Sequence, residues 1–236
     1  MADSYDAGKR AAGYAAVDRF VRNGTCIGLG TGTTAFYAIE RVGRRVAAGE
    51  QIVAVATSLE TERLCEERRV PLVGLLEREI DVAIDGADEI APDWALIKGG
   101  GGALFREKAV ALCARQFVVV ATSAKIVPVL GAFPLPVEIV PFAMPYVLRE
   151  IRGAYPSITI VRRGGDTPFV TDNGNWILDC HFGAIAEPAS VDTRLKKIHG
   201  VVASGIFVDI TSEVVLGNKD GTATFPARTA VSGQPR

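Results

Sequence analysis

Three carboxylates, one lysine and a run of glycines crowd the middle of this chain. Asp85 and Asp88 stand in Asp85-Gly86-Ala87-Asp88-Glu89, directly after the apolar run Ile80-Asp81-Val82-Ala83-Ile84. Lys98 follows, then Gly99 to Gly102, then Glu107-Lys108. A short apolar run that ends in a Gly-punctuated acidic turn reads as a buried parallel strand delivering acids to the carboxyl edge of a sheet. Open α/β sheets bind their ligands along that edge. Paired carboxylates near a lysine can hold staggered pKa values, which acid–base chemistry requires. The combination points to proton transfer on an anionic substrate.

Each part has a plainer reading. Asp85 and Asp88 could cap a helix or close an Asx turn. Glu107 and Lys108 could form an ordinary solvated helix face. The glycines are harder to dismiss, because each weakens a regular element by about 0.5–1 kcal/mol relative to alanine. They read as a loop whose backbone must approach a ligand closely, with Lys98 supplying a positive charge. Glu107 becomes a candidate general base because the loop before it looks like a ligand cradle.

A second candidate is Thr31-Gly32-Thr33-Thr34, between a strand and a helix. Backbone N–H groups and hydroxyls at a helix N-terminus form a ready anion site. No Gly-Lys-Ser/Thr follows, and Thr33 stands where a dinucleotide fingerprint needs its third glycine. The alternative is a strand-to-helix turn with a threonine N-cap. Ser123-Ala124-Lys125 could bring another lysine to the same edge, or simply begin a helix. His181 and His199 have no metal-ligand spacing around them, and no Gly-x-Ser-x-Gly elbow supports a serine nucleophile.

The elements that must position these residues alternate. A helix is predicted over Tyr5 to Phe20, a strand over Thr25 to Leu29 and a helix from the threonine turn to about Ala47. Strands follow at Gln51 to Ala56, Val70 to Val73 and Ile80 to Ile84, with a charged helix to about Arg69 among them. A helix from about Ala103 to Arg115 leads into Phe117 to Ala121. This order predicts an α/β fold with a doubly wound, mainly parallel sheet. The proline cluster Phe133-Pro134-Leu135-Pro136 marks entry into a second module. Its βαββαβ order predicts a smaller ferredoxin-like α+β domain, with a hairpin from Phe169 to Cys180 turning on Asn173-Gly174. The predicted domains are residues 1–132 plus 205–236, holding the active site, and 133–204.

Composition bounds the function. The 236 residues are 48% hydrophobic and 22% charged, enough for a substantial core. A net charge of -1 argues against broad nucleic-acid binding. Cys26, Cys65, Cys113 and Cys180 are widely spaced, which favours reduced core thiols in a cytoplasmic protein. Met1 to Arg10 has no apolar h-region, and no apolar run reaches the ~18 residues of a membrane span.

Together these segments resemble type A ribose-5-phosphate isomerases. The resemblance rests on Gly30-Thr31-Gly32-Thr33-Thr34, Asp85-Gly86-Ala87-Asp88-Glu89, Lys98-Gly99-Gly100-Gly101 with Arg106-Glu107-Lys108, and Ser123-Ala124-Lys125. Phe133-Pro134-Leu135-Pro136-Val137-Glu138 and Val170-Thr171-Asp172-Asn173-Gly174-Asn175 also match, and the likeness runs from Lys9 to about Asp220. It implies a metal-free, cofactor-free interconversion of D-ribose 5-phosphate and D-ribulose 5-phosphate in the pentose phosphate pathway, through a cis-enediolate. Glu107 matches the family's catalytic glutamate, with Asp85, Asp88 and Lys98 beside it in the chemistry. The family's substrate-binding positions match Thr31, Gly32, Thr33, Thr34, Asp85, Gly86, Ala87, Asp88, Lys98, Gly99, Gly100, Gly101 and Lys125. Thr33 departs from the frequent serine but keeps the hydroxyl. The implied partner is a small pentose phosphate, with no nucleic acid or membrane, and the implied assembly is a homodimer or homotetramer. Rival readings are a phosphosugar sensor without the chemistry and a relative of acyl-coenzyme A transferases.

Overall fold

The computed structural model describes residues 5–229. In chain order the first elements are α1 (Asp6–Phe20), β1 (Cys26–Leu29), α2 (Ala35–Ala47), β2 (Val53–Ala56), α3 (Leu59–Glu67) and β3 (Val82–Asp85). Then come β4 (Glu89–Ile90), β5 (Leu96–Ile97), α4 (Leu104–Cys113), β6 (Phe117–Thr122) and β7 (Leu135–Ile139). The remainder are α5 (Met144–Ala154), β8 (Thr159–Arg162), β9 (Trp176–His181), α6 (Pro188–Lys196), β10 (Val201–Ser204), β11 (Ile206–Phe207), β12 (Glu213–Gly217) and β13 (Ala223–Thr224).

The chain forms two compact units. The first takes the described residues up to Ala87, Arg106–Lys125 and Ile210–Arg228. The second takes Asp88–Phe105, Ile126–Asp209 and Thr229. The predicted 133–204 domain lies within the second unit, which also gathers β4, β5 and β11 into a three-stranded sheet. Each of those strands is two residues long, too short to show a period in the sequence. Residues 1–4 and 230–236 of the predicted main domain lie outside the described residues.

The first unit holds a six-stranded sheet in the order β13-β12-β6-β3-β1-β2, parallel except for β13. Its strands alternate faces. Ile27, Leu29, Val82, Ile84, Val118 and Val120 pack with Ala12, Ala16 and Val17 of α1 and with Ala38, Ile39 and Val42 of α2. On the other face Gly28 and Ala83 meet Val110 of α4. Helices therefore cover both faces, the doubly wound arrangement the alternation predicts. Each fully buried Ile, Leu or Val contributes about 1.5–3 kcal/mol.

Helix α1 lies so close to β12 that a Cβ on Gly217 would run into the carbonyl oxygen of Gly8. Gly217→Ala is expected to destabilise the fold by about 1–3 kcal/mol through overpacking, read as a lower urea midpoint. An unchanged midpoint would mean the two backbones are further apart than the structure has them.

In the second unit β7-α5-β8-β9-α6-β10 forms an antiparallel sheet in the order β10-β7-β9-β8, the ferredoxin-like arrangement. Leu135, Val137 and Ile139 of β7 share a core with Val147 and Ile151 of α5 and Leu195 of α6. Glu138 points to the other face and is fully buried. Its Oε1 accepts from the Thr171 hydroxyl at 2.9 Å and from the side-chain amides of Asn173 (3.2 Å) and Asn175 (2.9 Å).

Those bonds explain one correction. Asn173-Gly174 does not join two strands: β8 pairs with β9, and residues 163–175 form a long connection. Only Gly174 has positive φ, +78°, so the turn is not type I′. The side chains of its two asparagines are spent on Glu138. A second correction concerns Val70 to Val73, which contributes one isolated bridge, Leu72 to Ala54, and no strand. Pro71, lacking an N–H, interrupts any ladder there. The four cysteines form no disulfide, and burial pushes the Cys65 and Cys180 thiols up to about 12. Among the described residues no helix is long and apolar enough to cross a membrane.

Candidate active site

In the first unit three adjacent parallel strands, β1, β3 and β6, deliver candidate residues at their carboxyl ends. The register aligns Leu29 with Ala56 on one side and with Ile84 on the other. The turns that follow β1, β2 and β3 therefore emerge at one level, and β6, whose Val119 pairs with Asp85, runs three residues further to Thr122. Thr31 to Thr34 follow β1, Asp85 to Ala87 end β3, and Lys125 closes a short 3-10 turn after β6.

Asp85 is 2% exposed. Its Oδ1 accepts the N–H groups of Thr31 (3.1 Å) and Gly86 (2.6 Å), tying the β1 turn to the β3 turn. A Cβ at position 30 would run into this carboxylate, so Gly30 is required by close approach.

The Thr31 hydroxyl has a bracing role. It lies 2.9 Å from the Thr57 hydroxyl and 3.1 Å from that of Thr61, and donates to Ser58 Oγ at 2.8 Å. Thr61 in turn donates to the Gly30 carbonyl at 2.9 Å. Thr57 and Ser58 follow β2 on the same edge, and no sequence motif marks them as part of the site. Gly32 and Thr33 are exposed, and Gly32 has φ +105°. Thr34 occupies the N-cap of α2 but makes no side-chain capping bond, so the threonine N-cap reading does not hold.

Glu107 lies in the first turn of α4 and is 4% exposed. It sits one turn before Val110, which packs where Gly28 leaves room, so Gly28 sets how closely this helix approaches the sheet. Arg106 beside it pairs with Glu62 of α3 at 3.6 Å. The solvated-face alternative therefore fails for Glu107, which is buried.

The second unit holds the remaining candidates. Lys98 is 2% exposed; its N–H donates to the Gly205 carbonyl at 2.8 Å, and its Nζ stands 5.5 Å from the Phe207 ring centre. The glycine strip has three separate reasons for its composition. Gly99 (φ +101°) and Gly102 (φ +87°) adopt left-handed backbone, and Gly102 also faces the Phe169 ring. At Gly100 a Cβ would come within 2.6 Å of Asp88 Oδ1. The Gly100 N–H donates to Asp88 Oδ2 at 2.7 Å, so here the strip orients an acid.

Three buried or bracing acids and a cation escaped the sequence reading as individual residues. Glu89 accepts the Gly131 and Phe133 N–H groups at 2.6 Å each, and Glu138 holds the 171–175 turn. Arg163 and Asp179 form a bidentate pair against the glycine strip. Their only sequence signal was inclusion in, or nearness to, the matching segments. Among the described residues no group of three or more His, Cys, Asp or Glu side chains is arranged to hold a metal ion.

The family model for ribose 5-phosphate isomerase A (phosphoriboisomerase A) matches residues 53–221. Ribose-5-phosphate isomerase A of Bacillus mycoides (strain KBAB4) is 46% identical over 221 residues, 93% of this chain and 97% of its own. Among solved structures, ribose 5-phosphate isomerase from Plasmodium falciparum superposes with a TM-score of 0.90 at 35% identity, covering 95% of this chain and 100% of that one. A D-ribose-5-phosphate isomerase solved in complex with phospho-erythronic acid gives 0.88 at 36% identity, covering 93% and 97% respectively.

Proposed function

Because the chain belongs to the ribose 5-phosphate isomerase A family, we propose that it interconverts D-ribose 5-phosphate and D-ribulose 5-phosphate by proton transfer between C2 and C1. The observation that carries this reading is the 46% identity to a named isomerase over 93% of the chain. The buried placement of Asp85, Lys98 and Glu107 supports the assignment of roles.

In the forward direction the Glu107 carboxylate removes the C2 proton from the open-chain aldose. The electron pair forms the C1–C2 double bond, and the aldehyde oxygen takes up negative charge. Lys98 and the N–H groups of Gly99 and Gly101 offset that charge, which lowers the barrier because it develops in the transition state. Glu107 then returns the proton to C1 while the O2 proton passes to the O1 oxyanion, so that the C2 carbonyl and the C1 hydroxyl form together. Asp85 and Asp88 move protons at the ring oxygen and hydroxyls while the furanose opens. The exposed Gly32-Thr33 segment with Thr34, at the start of α2, takes the phosphate. Gly86, Ala87, Gly100 and Lys125 complete substrate binding. The protein works in the cytoplasm as a homodimer or homotetramer.

A coupled assay following ribulose 5-phosphate formation tests this directly. Turnover is expected to be the same with and without EDTA, and a loss in EDTA would overturn the metal-free chemistry. Sugar-phosphate binding without aldose–ketose exchange would instead mark a sensor. Lys98→Ala is expected to lower kcat about 100-fold or more. A raised KM at unchanged kcat would remove its charge-stabilising role.

A further inference from the structure

We propose that Arg163, clamped by Asp179, is a positioning residue that holds the Gly99–Gly100 peptide in the one orientation that fixes Asp88. This rests on the isomerase reading and adds two residues to it. The guanidinium makes a two-pronged contact with Asp179, Nε to Oδ2 at 3.0 Å and Nη2 to Oδ1 at 2.6 Å. That leaves Nη1 to donate to the carbonyl oxygens of Gly99 (2.9 Å) and Gly100 (3.1 Å).

The Gly99 carbonyl and the Gly100 N–H belong to one peptide unit. No peptide bond among the described residues is cis, so the two groups point in opposite directions from a rigid plane. With the oxygen held by Arg163, the N–H is held toward Asp88 Oδ2 at 2.7 Å. Glycines on both sides of that plane, Gly99 at φ +101°, make rotation of the unheld peptide inexpensive. A charged donor on the carbonyl also strengthens the N–H as a donor on the other side. The run Asp179, Arg163, Gly99–Gly100, Asp88 is therefore one hydrogen-bonded relay that ends on a carboxylate assigned to proton transfer. Phe169 backs it, with its ring centre 5.8 Å from the Arg163 guanidinium and its edge against Gly102.

The test uses full-length Arg163→Ala with ribose 5-phosphate, together with amide hydrogen exchange at Gly100. The expected kcat falls about 100-fold, the scale of a misplaced catalytic group, while KM stays near the wild-type value. Millimolar guanidinium ion is expected to restore part of the lost kcat in Arg163→Ala and none in Glu107→Gln. Gly100 exchange speeds up by about tenfold or more as the peptide loses its anchor. Adding Asp179→Asn to Arg163→Ala should cost little further, because the two act as a unit. Wild-type kcat in Arg163→Ala, or a loss that guanidinium does not relieve while Gly100 stays protected, overturns the proposal. If Arg163→Ala fails to fold, Arg163→Met, which keeps most of the stem and removes every donor, is measured by kcat and Gly100 exchange: the same losses are expected, and wild-type kcat with Gly100 still protected overturns the proposal. If the unmodified protein does not isomerise the sugar, the functional reading falls, and Gly100 exchange still decides whether Arg163 holds the strip.

Discussion

Replacing Glu107 by glutamine is expected to lower kcat roughly 100- to 10,000-fold, the usual contribution of a general base. The change is nearly isosteric, so the helix position and packing should survive. What is lost is the ability of a group that is 4% exposed to accept a proton from carbon. Sugar-phosphate binding should persist, because the Thr31 to Thr34 loop and Lys125 are untouched. Two readouts separate chemistry from folding. In deuterated solvent the wild-type protein should wash label into the substrate carbon, and the variant should not. A KM near the wild-type value would show that the interaction removed acts in the transition state. Unchanged turnover would move the base to another residue.

Gly30→Ala should have the second largest effect, although this glycine performs no chemistry. Its added methyl would occupy the space of the Asp85 carboxylate. That carboxylate is buried and holds the N–H groups of Thr31 and Gly86, so moving it disturbs both turns at the sheet edge. Overpacking of this kind costs about 1–3 kcal/mol. Misplacing a catalytic acid by about 1 Å costs roughly 100-fold in rate. Gly24→Ala is the matched control: Gly24 has φ +86° but nothing within 4 Å of an added Cβ. It should lose about 1–2 kcal/mol through left-handed backbone strain and keep its kcat. If Gly30→Ala turned over at the wild-type rate, Asp85 would not be held as the structure holds it.

Much of this arrangement is legible in the chain itself. The apolar run before Asp85, the threonine turn after β1 and the alternation of strands and helices are short-range patterns, and they predict the parallel sheet and its carboxyl-edge acids. The glycine strip was legible as a special backbone, though not for its reasons. Left-handed φ at Gly99 and Gly102 and the approach of Asp88 to Gly100 are two different demands that look alike in one-letter code. Asn173-Gly174 shows the opposite failure. Its dipeptide signal is local and strong, yet Glu138, more than 30 residues earlier, claims the asparagine side chain and the strands pair elsewhere.

Residue types and spacing thus determined which elements form and which side chains could do chemistry, because hydrophobic period and turn preference act over a few residues. Only the tertiary structure decided which groups hold the chemistry in place. Asp85 is fixed by Thr31 from 54 residues away, and the glycine strip by Arg163 from 64 residues away. Such bonds depend on the closure of long loops around a packed core, and nothing in the neighbouring sequence encodes the distance across that core.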